Sequence, residues 1–88
     1  NFQVIRGQSF ALAGSHIMLE GKIIASLDRW EKAVFSVLIN SFDQSIERKN
    51  IRGMVKDIDK VIGELRSKIS TTPAKIETTN NGWKLCQR

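Results

Sequence analysis

Lys56, Lys60 and Glu64 recur at intervals of four, with Val61 beside Lys60. On a helix this spacing lines them along one side as two cationic donors, one anionic acceptor and a methyl-bearing surface. Such a set can recognise a polar surface, but it holds no nucleophile beside a general base. His16 is the single histidine and Cys86 the single cysteine, too few for a structural zinc site or an internal disulfide. No Ser/His/Asp or Cys/His arrangement, paired carboxylates of a cleft or glycine-rich phosphate loop is visible, so the sequence argues against an enzyme and calls for no cofactor or metal. Fourteen Lys and Arg against nine Asp and Glu leave a net charge of +5, which suits a polyanionic partner without naming one.

The elements that must carry these residues follow from periodicity. At 88 residues the chain has the size of one domain. Positions 1–27 alternate with a period of two, as in Phe10 and Leu12 or Ile17 and Leu19. Gly7, Gly14-Ser15 and Gly21 punctuate them, predicting a meander of short antiparallel strands. At Asp28 the period changes. Asp28-Arg29-Trp30-Glu31 reads as a capping box opening a helix whose buried stripe is Trp30, Val34, Val37, Leu38 and Ser41. A second helix is expected from Ser45 or Ile46, turning Ile51, Met54 and Val55 inward and Arg48, Lys49 and Arg52 outward. A third, from Asp57, buries Ile58, Ile62, Leu65 and Ile69 and ends before Thr71-Thr72-Pro73. The three helices occupy 28–70. In 74–88, Lys75–Thr79 and Trp83–Cys86 flank Asn80-Asn81-Gly82 as a hairpin. Trp30 and Trp83 are expected to fill the core, His16 to be a polar strand residue and Cys86 an ordinary thiol.

Four ordered motifs in this frame resemble the OmpR/PhoB winged helix-turn-helix domain. Leu27-Asp28-Arg29-Trp30-Glu31 is similar to the family's Leu-Thr-x-x-Glu helix opening, with Asp28 in place of Thr. Ile46-Glu47-Arg48-Lys49-Asn50-Ile51 resembles the start of its second helix, Val-Ser-Arg-x-x-Leu. Ile58-Asp59 through Ile62, Leu65, Arg66, Lys68 and Ile69 resembles the recognition helix. Ile76-Glu77-Thr78 with Gly82-Trp83-Lys84-Leu85 resembles the wing. The chain departs from the family in a short Val55-Lys56-Asp57 link, a wing one residue shorter without its arginine, and Glu64 where a basic residue is common.

The resemblance implies an α+β winged helix-turn-helix fold: an N-terminal antiparallel sheet, three helices and a C-terminal hairpin wing. It further implies sequence-specific binding of double-stranded DNA by the effector domain of a bacterial response regulator. Lys56, Lys60, Val61 and Glu64 would then face the major groove. Arg48, Lys49, Arg66 and Lys68 would contact phosphates, and Asn80 and Lys84 would lie on the wing. Arg66 has an equal alternative, an internal ion pair with Asp59 or Glu31. A solvated helix face is as good an account of any one groove-facing residue. The family points to a homodimer or tandem pair on DNA, contact with RNA polymerase and a receiver or sensor partner domain. No apolar run has the length of a membrane helix, and one unpaired cysteine suits a reducing cytoplasm. Two other functions stay open: a protein-interaction module on the same fold, and a DNA-binding protein without sequence preference.

Overall fold

The computed structural model describes residues 2–88. Its first 25 described residues form an antiparallel meander of β1 (Phe2–Ile5), β2 (Gln8–Ala13), β3 (His16–Leu19) and β4 (Lys22–Ser26), in that spatial order. Arg6-Gly7 and Glu20-Gly21 make two of its turns with both residues at positive φ, 51° and 77° in the first and 52° and 77° in the second. Paired left-handed residues give the turn whose twist matches two antiparallel strands, and glycine takes the second place without a steric cost. A bulge at Ile24 shifts the β3–β4 register between Ile17 and Met18.

Asp28 caps α1 (Arg29–Asn40), accepting from the amides of Trp30 and Glu31 at 2.9 and 2.8 Å while the Asp28 amide donates to Glu31 Oε1 at 3.0 Å. The buried stripe of α1 is Glu31, Val34, Phe35, Leu38 and Ile39. Trp30, expected in the core, is instead 47% exposed. Val34, Phe35, Leu38 and Ile39 set the phase of the stripe, and the position three before Val34 and four before Phe35 is 31, not 30. The region expected to start the second helix is different too. Ile46–Glu47 form a two-residue strand, β5, because both pair with β7. The helix α2 (Arg48–Ile51) is one turn long and runs on as a 3₁₀ turn through Arg52–Met54.

Asp57 caps α3 (Ile58–Lys68) through the Lys60 amide. Thr72 and Pro73 then turn the chain into β6 (Ala74–Thr78) and β7 (Gly82–Gln87), and the second sheet has the order β5-β7-β6. The Arg88 guanidinium donates to the carbonyls of Ile69, Thr72 and Ala74, closing the end of α3 onto this sheet. The Arg6 guanidinium donates to the Arg88 carbonyl, joining the two sheets. The protein is therefore an α+β domain with three helices and two antiparallel sheets. Its core is shared: Phe10 of β2 meets Phe35 of α1 edge to face at 6.1 Å, and Leu38, Ile62, Leu65, Ile76 and Leu85 continue it to the second sheet. No helix among the described residues is long and apolar enough to cross a membrane.

Gly82 pairs with Glu47 where β5 lies against β7, with no room for a side chain. A Cβ there would lie 1.9 Å from the Ile46 carbonyl oxygen and 2.9 Å from both the Arg48 nitrogen and Glu47 Cα. Because these are backbone atoms, no side-chain rotation relieves the clash. Gly82→Ala is therefore expected to detach β5 and to lower stability by about 3 kcal/mol. A thermal melt within a degree of the wild type would show that this pairing tolerates a methyl group.

Candidate nucleic-acid interface

The helix α3 is amphipathic. Ile58, Ile62 and Leu65 are buried, while Asp59, Lys60, Gly63, Glu64 and Ser67 stand in water. Eleven helical residues span about 16 Å at 1.5 Å per residue. Beside this face lies an open groove of about 1080 Å³ between α3, the start of α1 and the 3₁₀ turn. The four residues expected to face a partner, Lys56, Lys60, Val61 and Glu64, all line it. Its apolar wall comes from Leu27, Trp30, Met54 and Val55, with the Arg29 guanidinium stacked 4.4 Å from the Trp30 ring.

The residues expected at phosphates divide into two groups. Arg48 lies with its guanidinium 4.5 Å from the Trp83 ring and donates to Asp59 at 3.3 and 3.4 Å. Lys49 is paired with Glu47 at 3.3 Å but is 72% exposed, so that water competes for the pair. Together with Arg52 and Asn81 these two basic residues line a second, smaller concavity of about 250 Å³ between α2 and the turn of the β6–β7 hairpin. Arg52 was not among the expected site residues. Its outward position in the second helix was legible, but its meeting with Asn81 depends on the β5–β7 pairing.

Arg66 and Lys68 make hydrogen bonds within the protein, although Arg66 stays exposed and Lys68 is half-buried on the groove wall. Arg66 Nε donates to the Ile76 carbonyl at 3.0 Å and its Nη2 to Thr78 Oγ1 at 2.7 Å. It thus ties α3 to β6, and its partners are neither Asp59 nor Glu31. Lys68 Nζ donates to Glu31 Oε1 at 2.7 Å and to the Ser26 carbonyl at 2.9 Å. Glu31 is 7% exposed, so the lysine neutralises a carboxylate already held by the α1 cap. On the hairpin, Asn80 is exposed at the turn. Lys84 sits 3.6 Å from Glu77, which also takes Lys75 at 3.1 Å. The hydrogen bond from Lys75, then the charges of Lys75 and Lys84, hold the Glu77 carboxyl below its ordinary pKa. Burial pushes the Cys86 thiol above its usual value, and His16 makes a 3.0 Å hydrogen bond with Ser26 on the first sheet. Trp83 is 2% exposed, as expected of a core aromatic.

No cluster of three or more His, Cys, Asp or Glu poised to hold a metal occurs among the described residues. No protein-family profile matches the chain, and no curated protein matches it.

Lys68→Met removes the cation from a buried carboxylate while keeping most of the stem. Chemical denaturation should show a loss of roughly 2–3 kcal/mol, and Glu31→Gln in the same chain should recover part of it. Additive losses in the double variant would show that the pair is not coupled. For Glu77, carboxyl NMR should place the titration below that of an ordinary glutamate, and Lys75→Ala should move it back up. A lowered carboxyl pKa adds stability above the ordinary carboxylate range, lost as pH falls through the folded value. A midpoint unmoved by Lys75→Ala would count against the pairing.

Proposed function

We propose that this chain is a winged helix-turn-helix domain of the OmpR/PhoB type that binds double-stranded DNA in a sequence-dependent way, as a response regulator's effector domain does. One observation carries the reading. The helix α3 is bonded to the β6–β7 hairpin by Arg66 on one side, while another face presents Lys60 and Glu64 to solvent, with the half-buried Val61 beside them on the groove. A helix so held can enter the major groove with the hairpin turn following alongside.

In that pose Lys60 donates to guanine O6 or N7, Glu64 accepts from cytosine N4 and Val61 meets a thymine methyl. Phosphate contacts fall to Lys49, Arg52 and Lys56, with Arg48 contributing from its stacked position on Trp83. Asn80 reaches the backbone from the hairpin turn. Arg66 and Lys68 hold the frame instead of touching DNA. The short Val55-Lys56-Asp57 link leaves little surface for the polymerase contact that the family makes there. Two domains on repeated half-sites would supply the specificity one small interface lacks.

A protein-contact module is the second reading, favoured by the apolar wall that Leu27, Trp30 and Met54 add beside α3. Titration with random duplex and with duplex from iterative enrichment, at two salt concentrations, separates them. DNA reading predicts an enriched motif, a loss of about 1–3 kcal/mol in Lys60→Ala on that motif, and a salt slope reduced by about one in Arg52→Ala. The DNA reading fails if no duplex of any sequence binds. Uniform, salt-sensitive binding without a motif would instead leave a DNA-binding protein that reads charge alone.

A further inference from the structure

An antiparallel sheet that covers a core with one face normally turns polar side chains to water on the other. The first sheet does not. Its inner face carries Ile5, Phe10, Leu12, Ile17 and Leu19. On the outer face, the cross-strand partners Phe2 with Ala11, Ala11 with Met18, and Met18 with Ile23 form one apolar row across all four strands. Val4 and Ala13 share that side. Phe2, Val4 and Ile23 are 64%, 67% and 59% exposed. The polar members of this face are Ser9, His16 and Ser26, and none of its strand residues is Lys, Arg, Asp or Glu; Glu20, in the turn after β3, adjoins its rim opposite Ser9.

Charge and shape say which partner such a face fits. The chain carries a net charge of +5, so two copies repel where their basic surfaces meet. The outer face of the first sheet brings copies together without apposing like charges. Across the strands the row reads large, small, large, large. A two-fold axis along the strands, between β2 and β3, sets Ala11 against the partner's Met18 and Phe2 against the partner's Ile23. Each methionine then fills the space above an alanine, the self-complementarity an isologous interface needs. With strands about 4.8 Å apart and about 3.4 Å per residue, the face offers roughly 300–400 Å² per copy. A stable dimer buries about 800 Å² per partner, so this contact is weak and reversible.

We propose that the outer face of the β1–β4 sheet is a self-association surface, on which two copies stack about a two-fold axis. The inference is independent of DNA binding. Sedimentation equilibrium of the chain without DNA, from roughly 10 µM to 1 mM, should show monomer giving way to dimer. Phe2→Lys and Ile23→Glu alter side chains already exposed in the monomer, so their melts should match the wild type. Each puts a charge against an apolar partner and should weaken association roughly tenfold or more. Combined in one chain, the two substitutions oppose opposite charges in both halves of the dimer and should restore association. A wild type still monomeric at about 1 mM overturns the proposal and leaves the face to a different partner. Single variants that associate like the wild type would place any dimer on another surface. A double variant no better than the singles would overturn the two-fold pairing.

Discussion

The burial of Glu31 constrains most of the rest of the molecule. Its carboxylate completes the cap of α1 by accepting from the Asp28 amide, and in the same place receives Lys68 from the last turn of α3. Lys68 also donates to the Ser26 carbonyl at the end of β4. One oxygen and one ammonium thus join the exit of the first sheet, the start of α1 and the end of α3. A buried carboxylate without that cation would be costly, so α3 must lie where Lys68 can reach. This placement fixes which face of α3 is left for a partner.

A second restraint acts from the other side. Gly82 lets β5 pair against β7 at a distance no side chain would allow, and from this pairing α2 begins with Arg48 over the Trp83 ring. Arg66 then bonds α3 to β6. The basic residues of α2, the exposed ridge of α3 and the hairpin turn are consequently held in one frame. In the same frame Arg66 hydrogen-bonds to β6 and Lys68 to Glu31 and Ser26, although Arg66 stays exposed and Lys68 lines the groove.

Much of this was legible in the residues. The change of period at Asp28, the capping box, the stripe of α3 and the Asn-rich turn of the hairpin are local signals, and each element lies close to where they put it. Lys60, Val61 and Glu64 were legible as one set because helical spacing aligns them, whereas Lys56 precedes the Asp57 cap and reaches the same groove from the link before the helix. Trp30 was misplaced because Glu31 looked like a cap residue and nothing more, although the pairs 34/35 and 38/39 centre the stripe on position 31. The strand at Ile46–Glu47 was not legible, since two residues have no period and their pairing depends on Gly82 and Trp83, 35 and 37 residues from their partners.

By itself the sequence determined the order and type of the main elements and the polar ridge of α3. These follow from propensity, periodicity and composition, which act within a few residues of the chain. Only the tertiary structure decided which cations remain free. Arg48, Arg66 and Lys68 find their partners 11, 10 and 37 residues away. Ion pairing and desolvation over such separations depend on where the elements pack, and no local pattern encodes them.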